Sequence, residues 1–240
     1  MKGRFIVLDG PDGVGKSVFL NTLIEESKKK SLKIFDVNLF WKENDRLPTM
    51  EEISEYNVLI TSEPTFFGAG KLIRNILISN SSPVKYSTLT IAQGYALDRH
   101  VLHEGLIIPA LEKGIHVFQS RSVSTSIVYQ KLTGEKDNVS LSEVINIPGN
   151  SFALKHAADI LIILTIDDPK EIINRLEKRD KDDDAIFENL EFQMKVKKEF
   201  ESDWFRELFE NRGTRVVYMD AGKTIEYSKE QMREFFMREF

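Results

Sequence analysis

The stretch Gly10-Pro11-Asp12-Gly13-Val14-Gly15-Lys16-Ser17 constrains this chain more than any other. It follows at once on the apolar run Phe5-Ile6-Val7-Leu8, which reads as a buried parallel strand. It leads into 16–30, where Phe19, Leu20, Leu23 and Ile24 recur at helical spacing. A strand, a glycine-rich turn with the spacing G-x-x-x-x-G-K-S, and a helix together make a phosphate-cradling loop. Its backbone N–H groups wrap a di- or triphosphate, Lys16 reaches the outer phosphates, and the Ser17 hydroxyl suits Mg²⁺. All eight residues are therefore assigned to nucleotide binding. A glycine-rich corner alone would not account for Lys16 and Ser17 together.

Six apolar runs are strand candidates: 5–8, 33–37, 57–63, 115–120, 159–166 and 215–220. Helical patterns lie between them at 71–78, 89–114 (bent near Pro109), 169–180, 190–211 and 228–240. Strands alternating with helices predict helices on both faces of a parallel sheet. The expected fold is a three-layer α/β/α sandwich with a mostly parallel sheet of about five strands, in a single domain over 1–240. The polar, proline-containing stretch 40–57 reads as an irregular insertion, and the charge-dense stretch at about 175–190 as a solvated loop or a mobile lid over bound phosphates.

The bulk numbers exclude several partners. The net charge is -5, so there is no global electrostatic reason to hold nucleic acid or an anionic membrane. The chain contains no cysteine, which suits a reducing cytoplasm and excludes thiolate metal sites. No apolar run approaches membrane-spanning length. His100, His103 and Glu104 share a helical face without metal-helix spacing, and no metal role is assigned to them.

Ligands of such sheets bind at the carboxyl ends of the strands. Three segments run there or onto helices facing the sheet: Ser62–Arg74, Tyr95–Arg99 and Ser120–Gln130. They bring together arginines suited to bidentate phosphate contact, tyrosines and hydroxyls.

With these segments in order, the chain resembles the thymidylate kinase family of P-loop nucleoside monophosphate kinases. The family's G-x-D-G-x-G-K-S appears as Gly10 to Ser17, and its R-E-P segment as Ser62-Glu63-Pro64, followed by Gly70 and Ile73-Arg74. Its F-A-x-D-R segment appears as Tyr95-Ala96-Leu97-Asp98-Arg99, and its D-R-Y…S-x-x-Y-Q segment as Ser120-Arg121-Ser122 and Ser126 to Gln130.

The resemblance implies a P-loop NTPase fold with a helical lid and transfer of a phosphoryl group from MgATP to dTMP. It implies that Tyr95 stacks on the thymine, Arg99 and Ser126 meet the base edge, and Tyr129 lies beside the 2′ position of the sugar. Arg121 would hold the acceptor phosphate, and Asp12 would sit near the 3′-hydroxyl and the metal with Ser17. Glu63, Phe66, Arg74 and Gln130 complete the implied substrate side. The phosphate loop carries no arginine, so the catalytic cation is expected from the lid, as Arg175 or Arg179, with Lys178 and Lys181 nearby.

Family members usually carry aspartate where Ser120 stands, tyrosine at Ser122 and arginine at Ser62. A kinase for another deoxynucleotide or nucleoside, or a catalytically weak nucleotide-responsive binding protein, therefore stands beside the dTMP kinase reading. A homodimer is also implied. The apolar residues Ile107, Ile108 and Leu111, outside one stripe of the 89–114 helix, are its expected contacts.

Overall fold

The structure, a computed structural model, describes residues 2–168, 171, 175 and 190–240. Its centre is one six-stranded sheet in the order β2-β3-β4-β1-β5-β6, every neighbouring pair parallel. The strands are β1 (Phe5–Asp9), β2 (Ile34–Asp36), β3 (Val58–Ser62), β4 (His116–Ser120), β5 (Ile160–Thr165) and β6 (Arg215–Asp220). The sheet thus has one strand more than the expected count. All six apolar runs are used, including the three-residue edge strand β2.

Successive side chains of a strand point to opposite faces, and β1 divides its residues accordingly. Phe5 and Val7 enter one core beneath α4 (Thr88–Leu102), α6 (Val123–Asp137) and α8 (Pro148–Lys155). Ile6 and Leu8 enter the other. There they meet Phe19 and Leu23 of α1 (Lys16–Lys29) and Met232, Phe235 and Phe236 of the C-terminal helix Ile225–Glu239. Lys28 and Lys29 close α1 with positive charge against its negative dipole end.

Several expected boundaries shift for local reasons. The insertion is not irregular from its start: α2 (Val37–Asn44) is capped by Asp36, whose carboxylate accepts from Asn38 N and Leu39 N. Trp41 anchors α2, fully buried against Phe67. Short α3 (Gly68–Leu72) leads into a π turn at Ile73–Leu77. The expected 89–114 helix is interrupted by a π turn at His103–Ile107 before α5 (Ile108–Glu112). Pro109 has no N–H to offer the Gly105 carbonyl, and the helix widens just before it.

Beyond α7 (Leu141–Asn146) and α8, the expected 190–211 helix is two helices, α9 (Leu190–Phe200) and α10 (Asp203–Glu210). Ser202 has extended backbone and turns its hydroxyl onto Glu199 O at 2.6 Å, which breaks the run. The last helix, α11 (Ile225–Glu239), is capped by Thr224. The 169–180 pattern lies largely outside the described residues.

Ile107 and Leu111 are buried in this chain's own core, which corrects their assignment to a subunit contact. No helix among the described residues is long and apolar enough to cross a membrane.

Candidate active site

The phosphate loop closes the carboxyl end of β1. Gly10 has φ 136°, and a Cβ there would stand 2.6 Å from the Leu164 carbonyl of β5. Only glycine lets the loop pass this close at that angle. Gly15, with φ 105°, turns the chain into α1, whose first N–H groups face the loop. The Lys16 ammonium is buried and donates to Gly10 O and Pro11 O, both at 2.8 Å. The Ser17 side chain is exposed at the head of α1.

Behind the loop, Asp9 ends β1 with a fully buried carboxylate. It accepts from Gly10 N at 2.9 Å, Ser124 Oγ at 2.5 Å and Thr125 Oγ1 at 2.7 Å. This clamp ties the loop to the first turn of α6. Asp9 lies outside the G-x-x-x-x-G-K-S spacing, and the sequence reading passed over it.

β4 runs beside β1, with Leu8 in register with Ser120. The next residue, Arg121, has left-handed backbone (φ 66°) and donates its own N–H to Leu8 O at 2.9 Å. Its guanidinium pairs with the Asp12 carboxylate. The Tyr129 hydroxyl donates to the other oxygen of Asp12 at 2.9 Å. Gln193 of α9, also unforeseen, accepts from Asp12 N at 2.8 Å. Three expected site residues, Asp12, Arg121 and Tyr129, therefore form one cluster.

A second cluster surrounds Arg99, which is 1% exposed. Its Nε donates to Glu63 Oε2 at 2.8 Å, one terminal nitrogen donates to Ser126 Oγ at 2.9 Å, and the other to Asn150 Oδ1. Expected residues Glu63, Arg99 and Ser126 thus meet, and Asn150 of α8 joins them without a motif to announce it. Gln119 of β4 donates to Glu63 Oε1 at 3.0 Å. Burial pushes the Glu63 carboxyl up to about 7, against the opposing pull of Arg99. His103 is also buried and held down at about 3 by that burial and by Arg99, so it is neutral beside Glu63.

Phe66 and Arg74 form a third group nearby. The Arg74 guanidinium lies 4.1 Å from the Phe66 ring centroid and donates to Thr65 O and Pro64 O. Lys42 of α2 lies 5.0 Å from the same ring, which ties the insertion to the site. Tyr95 packs with Ile73, Leu77 and Ile91 at the margin of this region. Gln130 is buried, and its Oε1 lacks a hydrogen-bond partner among the described residues.

On the other side of the phosphate loop a cleft is lined by Val14, Gly15, Ser17, Arg175, Lys223 and Ile225. The Arg175 guanidinium donates to Val14 O at 3.2 Å, Ala221 O at 2.9 Å and Glu171 at 3.0 Å. The 221–225 loop after β6 was missed because nothing in its composition marks it. Arg179, Lys178 and Lys181 lie outside the described residues.

A phosphate loop with a cleft on one flank and an arginine–carboxylate–tyrosine cluster on the other defines a P-loop α/β protein with room for a phosphate donor and an anionic acceptor. The Thymidylate kinase family matches over residues 44–232, and a KAP family P-loop domain matches over 2–74. The thymidylate kinase of Caldicellulosiruptor saccharolyticus is 31% identical over 98% of this chain and 96% of its own length. The probable thymidylate kinases of Methanococcus vannielii and Pyrococcus abyssi are each 32% identical, over 82% and 75% of this chain. The chain belongs to the thymidylate kinase family.

Proposed function

We propose that this protein transfers the γ-phosphoryl group of ATP to the phosphate of dTMP, giving ADP and dTDP. The observation that carries the reading is the junction at Asp12. The loop that would cradle the donor phosphates also holds Arg121 through its acidic side chain, and this guanidinium is the one we assign to the acceptor phosphate. An acceptor oxygen attacks the γ-phosphorus in line as the bond to the ADP oxygen breaks. The protein's work is positioning and charge neutralisation.

The donor's base and sugar occupy the cleft between α1 and the 221–225 loop, where Arg175 forms one wall. Arg175 is committed to backbone carbonyls there. The cation that reaches the transferring phosphoryl group is then Arg179 of the lid.

Mg²⁺ prefers water and phosphate oxygens with one or two protein ligands. The exposed Ser17 hydroxyl at the head of α1 fits that demand and would hold the ion together with the donor phosphates. Asp12, whose oxygens already take Arg121 and Tyr129, would support the ion from the side of the acceptor. The ion supplies charge neutralisation across the phosphate chain.

On the acceptor side, Tyr95 stacks on the base, with Arg99 and Ser126 at the base edge. Glu63 and Phe66 shape the pocket, and Arg74 and Gln130 support it. Two chains pair through the face that carries exposed Leu72, Ile76, Leu97 and Val101. A protein without cysteine suits the reducing cytoplasm.

The test is ADP formation against a panel of nucleosides and nucleoside monophosphates. Turnover with dTMP above all others is expected. ATP binding with no acceptor-dependent turnover would overturn the reading.

A further inference from the structure

Gln119 touches both the carboxylate that holds Arg99 and the backbone of Arg121. It is fully buried on β4, in register with Thr61 of β3 and Val7 of β1. Val7 and Val117 on this side of the sheet belong to the apolar core. A carboxamide there is costly unless its polar atoms are satisfied. Its Oε1 accepts from the Thr61 hydroxyl at 2.9 Å. Its Nε2 donates to Glu63 Oε1 at 3.0 Å and to the Arg121 carbonyl at 2.9 Å.

These two acceptors belong to different halves of the acceptor site. Glu63 uses its other oxygen to hold Arg99, which also reaches Ser126. Arg121 is the left-handed residue whose side chain pairs with Asp12. A primary amide can donate to a carboxylate and a carbonyl at once and still accept from a hydroxyl. A carboxylate at this position has no hydrogen to give, and a methionine offers no such donor.

We propose that Gln119 is a positioning residue that binds the Arg99–Glu63 pair and the Arg121 backbone into one rigid unit, so that the acceptor's base and phosphate are read at a fixed separation. The inference rests on the dTMP reading above. It predicts a defect confined to the acceptor, since the donor cleft lies on the far flank of the phosphate loop. The groups facing Glu63 are Arg99, Asp98 and Tyr95 of α4, His103 of the π turn, and Gln119 itself. Loss of the Gln119 donor removes one stabiliser of the ionised carboxylate, so Glu63 takes its proton at a higher pH.

Steady-state kinetics and calorimetric binding of dTMP and ATP to the full chain test this, with the variants Gln119→Met and Gln119→Glu. Both are expected to raise KM and Kd for dTMP at least tenfold while those for ATP stay within twofold. In Gln119→Met the pH at which the dTMP KM turns upward on acidification should rise relative to the wild type. The titration of dTMP itself cancels in that comparison. A lower melting temperature with an unchanged ratio of the two KM values would make Gln119 a packing residue and overturn the proposal. If Gln119→Met does not fold, Gln119→Glu, which keeps the shape and the acceptor for Thr61, decides the matter by the same ratio. A wild-type protein that neither binds nor phosphorylates dTMP would remove the underlying reading and this inference with it. An active wild type with unaffected variants would remove only the role of Gln119.

Discussion

Asp12 of the phosphate loop and Arg121 at the end of β4 lie 109 positions apart and form an ion pair at the carboxyl edge of the sheet. The pair is only partly exposed, and Tyr129 shares the same carboxylate. The phosphate loop and Arg121 are therefore tied to each other through the Asp12 side chain. Asp12→Asn keeps the shape and removes the charge. A hydrogen bond to a charged group contributes about 1.5–3 kcal/mol. The acceptor KM should rise roughly ten- to a hundredfold, with the ATP KM nearly unchanged. An equal rise in both constants would detach Asp12 from the acceptor side.

Lys16→Met should abolish turnover without unfolding the protein. The substitution keeps a long side chain against the loop and removes the ammonium now held by Gly10 O and Pro11 O. An oriented charge-stabilising group is worth on the order of 3–4 kcal/mol in a transition state. ADP formation at saturating ATP should fall well below a tenth of the wild-type rate, with an unaltered circular dichroism spectrum. Retention of more than a tenth would contradict the role given to the loop.

Glu63 and His103 work against each other in the pH dependence of stability. Glu63 is raised to about 7 in the folded state, so the stability it lends is present at low pH and is lost as pH rises from about 4.5 to 7. His103 is lowered to about 3, so its contribution is present above about 6.5 and is lost as pH falls. Between about pH 4.5 and 6.5 the two slopes oppose each other. Glu63→Gln leaves the histidine slope alone. Denaturant titrations at pH 5 to 6.5 should then show stability rising with pH, by up to about 1.4 kcal/mol per unit more than in the wild type. Parallel curves for the two proteins would mean that Glu63 is ionised throughout this range.

Leu97 and Val101 stand one turn apart on α4, at 58% and 40% exposure, beside exposed Leu72 and Ile76. Light scattering at micromolar concentration should give twice the 27.7 kDa of one chain. Leu97→Glu should halve that mass by burying a charge in the contact. A wild-type mass of 27.7 kDa would end the homodimer reading.

Much of this was legible in the amino-acid order. The phosphate loop, α1 and all six strands follow from apolar runs and glycine spacing, because burial on both faces of a parallel sheet leaves a continuous apolar signature. Arg99, Arg121, Glu63, Ser126 and Tyr129 were reachable because they stand in segments with motif spacing. Asp9, Gln119, Asn150 and Gln193 were not. Each is a short polar side chain whose importance comes from a partner far along the chain: Asp9 and Thr125 are 116 positions apart, and Gln193 and Asp12 are 181. Local pattern carries no trace of such pairings. The surroundings of Ile107 and Leu111 were misjudged for a related reason. Apolar residues on two sides of the 89–114 stretch were read as needing a second chain, when α8 and the sheet take up one of those sides. The exposed apolar side chains on this stretch are instead Leu97 and Val101 of α4.

The strand order has a consequence for how the chain is made. β1 is made before the other five strands of the sheet and lies between β4 and β5, in register with residues 117–120 and 160–163. Contacts this distant in sequence slow folding, because the intervening loop must be closed before pairing repays it. The phosphate loop cannot take its final shape until the strands at 117–120 and 160–163 have been made. Until β4 and β5 are made the apolar strand Phe5–Leu8 lacks its neighbours, and an unpaired apolar strand of this kind gains from shelter by a chaperone.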